Sequence, residues 1–231
     1  RYGCNLFLAR LSQHGLSDLD AFLAFTPKSF ITSAKEAIAI GKTIGEKVIL
    51  MTCSTGGTAA FYLAANDPNI HSIIALSPNI DLADPNSFVL TGPWGLKIAK
   101  TIFGGDYRSW EKSTSDEKKY WNTKYRVEGL VNLKLLVNAT MKTETFAAVK
   151  QPVFLGYYYK NEKEQDETVS VAAMLKMYEE LGTAANKKRK IAFPEAKTHV
   201  IASKWHSKSL ESVQNEVIKF MEEVLKLNVH E

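Results

Sequence analysis

The chain has 231 residues, of which 45% are hydrophobic and 23% charged, and its formal net charge is +4 at pH 7. These values are ordinary for a globular protein, and the length suits a single α/β domain with one insertion. No apolar run approaches the roughly 20 residues of a membrane-spanning helix, and the chain shows no signal peptide. The densest basic cluster, residues 187–190, precedes an apolar run, so we expect a solvated loop leading into a strand rather than a nucleic-acid-binding patch.

The first third of the chain predicts strands alternating with helices. Residues 5–9 (NLFLA) indicate a short strand, and residues 26–45 indicate a helix that ends at Gly45. A second strand is predicted at residues 47–51, and a helix of small residues follows at 58–65. Residues 70–76 then read as a buried strand.

The last third of the chain continues this alternation. Residues 151–159 predict a fourth strand, and residues 169–181 predict an amphipathic helix that Gly182 ends. A fifth strand is predicted at residues 190–193, before a long closing helix at 209–227. Strands that alternate with helices favour an α/β fold with a mostly parallel sheet and helices on both faces.

Residues 84–150 interrupt the alternation. They contain no clear buried strand, but they hold Trp94, Trp110 and Trp121 and two apolar helical segments, at residues 96–102 and 130–137. We therefore predict a core of residues 1–83 and 151–231 and a helical insertion of residues 84–150. Insertions at the carboxyl edge of such sheets lie over the ligand crevice, which favours a cap or lid. A purely structural insertion is the alternative.

The most informative run is residues 47–60, KVILMTCSTGGTAA. An apolar strand leads into Ser54, and a helix of small residues begins at once, which is the pattern of a nucleophile elbow. Such a tight turn strains the backbone of the serine and presents its hydroxyl at the positive end of the helix. Small residues two positions before and after the serine allow the close approach, and Thr52 and Gly56 fill those positions. A glycine-rich turn with a capping serine is the alternative that this run leaves open.

The two cysteines, Cys4 and Cys53, each lie in an apolar, strand-like stretch. We expect both to be small buried hydrophobic residues rather than a disulfide or a metal site. Cys53 is also a rival nucleophile because it adjoins Ser54. It is disfavoured, since an elbow presents only its central residue outward.

A catalytic serine needs a base, and the base needs a carboxylate that orients it. In an α/β fold of this kind the acid and then the histidine follow the serine, each on a loop after a later strand. Asp166 follows the fourth predicted strand, and His199 follows the fifth, so Ser54, Asp166 and His199 form the predicted triad. The alternative acids are Glu162, Glu164 and Glu167 in the same loop, and Asp81 and Asp84 after the third strand. The alternative bases are His14, His71, His206 and His230, none of which directly follows a strand in the final position.

These motifs resemble those of α/β-hydrolases of the carboxylesterase and monoacylglycerol-lipase-like group, whose members carry a small helical cap. The matching residues are CSTGG at 53–57, DETV at 166–169 and THV at 198–200, with residues 2–11 and 13–15 upstream. The resemblance covers nearly the whole chain, and the cap region is its least specific part. It is more specific for the fold than for the substrate.

The resemblance implies a serine hydrolase that cleaves carboxylic esters through an acyl-enzyme. Ser54 would attack the carbonyl, His199 would accept its proton, Asp166 would orient His199, and the Thr55 N–H would be one oxyanion donor. The expected substrate is a small-molecule ester with an apolar acyl group. No cofactor or metal is expected, because no phosphate-loop pattern is present and the histidines are not at ligand spacing. The oligomeric state and the localisation stay open, with a cytoplasmic setting as the default.

Two groups of alternatives remain at this point. The same triad serves thioesterases, amidases, peptidases and acyltransferases, and a non-catalytic binding protein can share the fold.

The resemblance also implies that strands upstream of residue 1 are missing, including the neighbour of the elbow strand. We therefore expect residues 1–231 to be the C-terminal portion of a longer chain, with one unpaired sheet edge, and to be poorly soluble or inactive alone.

Overall fold

The structure is a computed structural model that describes residues 1–16, 20–109 and 122–229. Its strands are β1 (Val48–Ser54), β2 (Ile70–Pro78), β3 (Tyr107–Ser109), β4 (Lys124–Arg126), β5 (Val153–Tyr157), β6 (Tyr159–Asn161), β7 (Glu164–Gln165) and β8 (Lys188–Ala192). The main sheet has the order β1-β2-β5-β8, and each of its pairings is parallel. Strands β3 and β4 form an antiparallel pair, and β6 and β7 form an antiparallel hairpin.

The helices are α1 (Pro27–Ile44), α2 (Thr55–Asn66), α3 (Gly95–Ile102), α4 (Val127–Thr140), α5 (Thr143–Ala148), α6 (Val171–Glu180) and α7 (Leu210–Glu223), with 3-10 helices at Pro85–Thr91 and Ala185–Lys187. They cover both faces of the sheet. Because side chains alternate along a strand, Ile73 and Ala75 of β2 join the core with α1, α2 and α6, whereas Ile74 and Leu76 join the core with α7. The predicted α/β fold with a mainly parallel, two-sided sheet is confirmed.

Helix α1 shows how local sequence sets an element's ends. The Thr26 hydroxyl accepts a hydrogen bond from the Ser29 N–H at 3.1 Å, and Ser29 Oγ accepts one from the Thr26 N–H at 3.2 Å. Pro27 occupies the first helical position, and Gly45 follows the last. A reciprocal cap of this kind satisfies two backbone donors that the helix cannot, so the helix predicted over residues 26–45 forms as expected.

The strand predicted at residues 5–9 is wrong. This segment forms no strand, and Leu6 and Leu8 are 80% and 82% exposed. The reason lies in the sheet, where β1 is an edge strand and no described strand pairs with its outer side. Met51 is 59% exposed on that strand. An apolar segment becomes a strand only where a partner strand takes up its backbone hydrogen bonds, and residues 5–9 pair with no strand in the described ranges.

The predicted burial of the cysteines is also wrong. Cys4 and Cys53 are both exposed free thiols. Cys4 lies in the segment before residue 11, which has no regular secondary structure, and Cys53 lies on the edge strand β1. The apolar neighbours of each cysteine therefore did not indicate a buried position, because the sheet does not extend beyond β1 in the described residues.

The described residues between β2 and β5 form a 3-10 helix, α3, the antiparallel pair β3–β4, α4 and α5. Helices α3 and α4 confirm the helical segments predicted at residues 96–102 and 130–137. The β3–β4 pair was not predicted, because strands of three residues are too short to show a periodic pattern. Trp94 is 69% exposed, while Trp110 and Trp121 lie outside the described residues. None of the helices in the described ranges has the length and apolar character needed to cross a membrane.

The basic cluster at residues 187–190 does not form the predicted solvated loop, because Lys188, Arg189 and Lys190 lie within β8 and pair with β5. Its side chains are paired with groups on the neighbouring helices. Lys190 Nζ lies 2.5 Å from Glu179, Arg189 lies 2.7 Å from Glu223, and Lys188 Nζ donates to the Tyr178 carbonyl at 2.8 Å. These contacts attach the edge strand to α6 and α7.

His14 packs into an aromatic cluster beside α1. Its ring centroid lies 4.9 Å from that of Phe22, 5.4 Å from that of Phe30 and 6.4 Å from that of Phe25. Nδ1 lies 2.9 Å from the Ser12 carbonyl oxygen. Burial among these rings lowers the pKa of His14, and the bond to Ser12 opposes that shift only in part.

This burial predicts a loss of stability on mild acidification. The unfolded chain protonates His14 near the ordinary histidine pKa of about 6.5, whereas the folded chain resists protonation, so the free energy of unfolding falls as the pH drops through that value. His14→Gln removes the titration and should flatten the dependence of urea unfolding between about pH 7.5 and about pH 5.5. A variant that keeps the wild-type slope would show that His14 is not its source.

Candidate active site

Ser54 ends β1, and Thr55 begins α2, so no residue separates the strand from the helix. The backbone of Ser54 has φ 53° and ψ −124°, a conformation that strains any residue other than glycine. The Ser54 side chain forms no capping bond to α2. The first N–H groups of the helix therefore remain unused by that side chain and carry the positive end of the helix dipole.

Gly57 is the residue that allows α2 to pack closely against the sheet. A Cβ at this position would lie 2.5 Å from Pro78 Cβ and 3.0 Å from Pro78 Cα. At Gly56 an added Cβ would make only an ordinary contact, 3.5 Å from Thr52 Cβ. The sequence pattern assigned the close approach to Gly56 and Thr52, and the structure places it one residue later, where the helix passes the end of β2.

Alanine substitutions at Gly56 and Gly57 should therefore have different effects on the free energy of unfolding. Gly57→Ala forces α2 away from Pro78 and should cost about 1–3 kcal/mol of unfolding free energy, the usual effect of overpacking. Gly56→Ala has room for its methyl group, and alanine favours helix by up to about 1 kcal/mol over glycine. Urea denaturation of the pair measures the difference directly. Equal stability of the two variants would contradict the described packing of α2 on β2.

Asp166 lies after β5 and the β6–β7 hairpin, and its side chain is buried. Its Oδ1 accepts hydrogen bonds from the N–H groups of Thr168 at 2.9 Å and Val169 at 3.1 Å. Its Oδ2 lies 2.7 Å from His199 Nδ1. Two backbone donors and an imidazole thus hold the buried carboxylate in one orientation.

His199 follows β8 on a short loop. Its Nδ1 faces Asp166, and its Nε2 is buried without a hydrogen-bond partner in the described part of the chain. In a neutral imidazole that donates Nδ1–H to a carboxylate, Nε2 carries the free lone pair. Nε2 is therefore the atom available to accept a proton.

The rival acids have other partners. Glu162 accepts from the Tyr159 hydroxyl at 2.9 Å, and Glu164 lies 3.1 Å from Lys160. Asp84 caps the 3-10 helix through the Asn86 N–H at 2.8 Å, and Asp81 pairs with Lys134. Glu167 is exposed. Only Asp166, among these carboxylates, is described in contact with His199.

The other histidines lie elsewhere. His14 is in the aromatic cluster, His71 is the second residue of β2, and His206 lies in the turn before α7. His230 is outside the described residues. Within the described ranges, no group of three or more histidine, cysteine, aspartate or glutamate side chains could hold a metal ion.

The three predicted residues lie at or after the carboxyl ends of parallel strands of the sheet, and the structure shows contact between two of them, Asp166 and His199. Ser54, Asp166 and His199 follow β1, β5 and β8, and the carboxyl ends of parallel strands share an edge. The hydrogen bond between Asp166 and His199 is formed, whereas His199 Nε2 has no bond to the Ser54 hydroxyl. Thr55, the predicted oxyanion donor, is buried at the first position of α2.

Cys53 has the wrong chemistry for a nucleophile at neutral pH. The residue exposes much of its surface on the sheet edge, yet the protein atoms around the sulfur, and secondarily the Asp166 carboxylate, raise the pKa of its thiol to about 12. The effect of the Asp166 carboxylate places the thiol near the candidate site. A thiol with so high a pKa stays protonated, and only the thiolate is nucleophilic.

Ser77 and Asn79 are polar residues of this edge that the sequence motifs did not indicate. Both are fully or almost fully buried, and Ser77 Oγ and Asn79 Oδ1 have no hydrogen-bond partner among the described residues. Ser77 has a φ of 45°, and the Asn79 N–H donates to the Ser54 carbonyl at 2.9 Å. Their position at the carboxyl end of the strand next to β1 was the available signal, since Ser77 is near the end of β2 and Asn79 follows it directly.

No family model and no curated protein sequence matches the chain. Its fold does match solved structures. A structure reported for LipS and LipT, two metagenome-derived lipolytic enzymes, aligns with a TM-score of 0.73 and 14% identity over 93% of this chain and 80% of that one. The monoacylglycerol lipase of Paleococcus ferrophilus aligns with a TM-score of 0.61 and 17% identity, over 86% of this chain and 76% of that one. A soluble variant of the Saccharomyces cerevisiae monoglyceride lipase, in complex with a substrate analogue, aligns with a TM-score of 0.62 and 12% identity. The alignment covers 87% of this chain and 71% of that one. The chain therefore has the α/β-hydrolase fold, as its sequence motifs predicted.

Proposed function

We propose that the protein is a serine hydrolase that cleaves carboxylic esters through an acyl-enzyme. Ser54 is the nucleophile, His199 the general base, and Asp166 the carboxylate that orients His199. The observation that carries this proposal is the 2.7 Å contact between His199 Nδ1 and buried Asp166, at the carboxyl edge of the sheet where strained Ser54 ends β1. The fold shared with lipolytic enzymes supports the same class of reaction.

The chemistry follows the usual course of acyl transfer. The Ser54 hydroxyl oxygen attacks the ester carbonyl carbon while its proton passes to His199 Nε2, and Asp166 stabilises the imidazolium. Collapse of the tetrahedral intermediate breaks the bond to the alcohol, which takes the proton from Nε2. Water then repeats the sequence on the acyl-Ser54 ester and releases the acid. The lone pair of Nε2, which has no hydrogen-bond partner among the described residues, is the acceptor that this reaction sequence needs.

The proposed oxyanion donor is the backbone N–H of Thr55. It is the first residue of α2, and it follows the nucleophile, so its N–H lies at the positive end of the helix. The negative charge that develops on the carbonyl oxygen is stabilised there more than the neutral ester is. Burial of Thr55 strengthens the interaction, because little water competes for the oxygen.

We assign residues 84–150 as the cap and residues 1–83 with 151–231 as the core. The cap assignment is supported by α4, whose Lys134 reaches Asp81 just after the end of β2. Large apolar side chains of the insertion remain exposed, among them Phe88, Trp94 and Ile102. A surface of this composition suits a small-molecule ester with an apolar acyl group.

A matched substrate panel tests the reaction class. We expect p-nitrophenyl esters to be hydrolysed, with a burst of p-nitrophenol that marks the acyl-enzyme, and longer acyl chains to lower KM. A thioester and an anilide of the same acyl group separate the ester reaction from its alternatives. Faster turnover of either one would overturn the ester assignment. No turnover of any substrate by the folded protein would overturn the hydrolase proposal.

A further inference from the structure

Residues 79–83, here called the bridging segment, leave the end of β2 and connect to the serine turn. The Asn79 N–H donates to the Ser54 carbonyl at 2.9 Å, and the Asn79 carbonyl accepts from Thr58 Oγ1 at 2.6 Å. Thr58 belongs to α2. The first residue of the bridging segment is thus bonded both to the proposed nucleophile's backbone and to the helix that follows it.

The other end of the bridging segment is bonded to the loop that carries Asp166. The Ser170 N–H donates to the Asp81 carbonyl at 2.9 Å, and the Ala83 N–H donates to the Thr168 carbonyl at 3.2 Å. Between these bonds, Leu82 and Val169 form an antiparallel bridge. The same loop residues, Thr168 and Val169, donate their N–H groups to the Asp166 carboxylate. The bridging segment therefore joins the two halves of the proposed catalytic set.

Lys134 is attached to the middle of the bridging segment. It lies in α4 within the insertion, it is only 4% exposed, and its ammonium group pairs with the Asp81 carboxylate. The same Asp81 oxygen accepts the Leu82 N–H at 2.8 Å. A buried ammonium group is costly without an anionic partner, so this contact holds Asp81 firmly.

We propose that Lys134 is a positioning residue of the active site. Through Asp81 it holds the bridging segment in place, and the bridging segment sets the distance between the Ser54 turn and the Asp166–His199 pair. Lys134 acts through the protein and not on the substrate. The inference deepens the proposed function and rests on it for the effect on catalysis, but the effect on the Asp166–His199 hydrogen bond does not depend on any substrate.

The first arm of the test is spectroscopic. The proton between His199 Nδ1 and Asp166 should give a resonance far downfield of the amide region in the proton NMR spectrum, assigned by its absence in His199→Gln. In Lys134→Met, a side chain of similar length without the charge, this resonance should shift or broaden. Lys100→Met is the matched control, because Lys100 pairs with Asp106 and Glu128 within the insertion and has no described contact with the bridging segment.

The second arm is kinetic. With a short p-nitrophenyl ester, Lys134→Met should lower kcat by about 10-fold to 100-fold with a smaller change in KM, since displacement of a catalytic group by about 1 Å has effects of that size. The double variant Asp81→Asn/Lys134→Met leaves neither charge unpaired. It should recover the unfolding midpoint but not kcat, which separates positioning from stability. If Lys134→Met does not fold, the double variant carries the same comparison.

The outcomes are distinct. A downfield resonance that is unchanged in Lys134→Met, with kcat within about two-fold of the wild-type value, would overturn the proposal. Recovery of kcat together with stability in the double variant would also overturn it. A resonance that responds to Lys134→Met in a protein that hydrolyses no ester would support the positioning role and refute the proposed function instead.

Discussion

Replacement of Ser54 by alanine is expected to abolish ester hydrolysis, lowering kcat by a factor on the order of 10⁴ to 10⁶. Alanine lacks the hydroxyl that forms the acyl-enzyme, so only the electrostatic environment of the site could then promote attack by water. The burst of p-nitrophenol should disappear with the steady-state rate. Loss of burst and turnover in a folded variant can be measured by stopped-flow absorbance and checked by circular dichroism.

Cys53→Ala is the control for this substitution. Cys53 adjoins Ser54, but its thiol, with its pKa raised to about 12, is protonated at neutral pH. We expect Cys53→Ala to retain burst and turnover within about two-fold of the wild-type values, in line with a residue that forms no covalent intermediate. Loss of the burst in Cys53→Ala, with its retention in Ser54→Ala, would assign the nucleophile to the thiol.

Asp166→Asn is expected to lower kcat by about 10⁴-fold while leaving the fold intact. The amide oxygen of asparagine can still accept the N–H groups of Thr168 and Val169, which bind Asp166 Oδ1. The amide nitrogen would then face His199 Nδ1 as a donor. This favours the tautomer that carries its proton on Nε2, so His199 could no longer accept the proton of Ser54.

Glu167→Gln provides the matched control, because Glu167 adjoins Asp166 in the same loop and is exposed. Glu167→Gln makes the same change from carboxylate to amide, and it should leave kcat and KM close to their wild-type values. Steady-state kinetics of the two variants, with unfolding curves, give the comparison. An Asp166→Asn enzyme within about ten-fold of the wild-type kcat would remove Asp166 from the proposed mechanism.

The order of the candidate site residues could be predicted because each one follows an apolar strand. Ser54, Asp166 and His199 come after β1, β5 and β8, and parallel strands bring their carboxyl ends to one edge whatever their separation in the chain. The hairpin between β5 and Asp166 did not disturb this prediction. It changes the path of the loop but returns the chain to the same edge.

Features that depend on tertiary neighbours could not be predicted. Residues 5–9 have the composition of a strand, but local pattern does not show whether a neighbouring strand is present. Gly56 and Gly57 are equivalent in sequence, and only the path of α2 past Pro78 distinguishes them. Lys134 resembles any solvated helix lysine until α4 packs it against Asp81.

The most direct test of the account is labelling with a fluorophosphonate probe, which reacts with activated serine hydroxyls and not with ordinary ones. The account predicts one probe per wild-type molecule, located by mass spectrometry on the peptide that contains Ser54. Labelling should be absent in Ser54→Ala and greatly slowed in His199→Ala. A folded wild-type protein that takes up no probe, or that carries it on another residue, would contradict the assignment of Ser54 as an activated nucleophile.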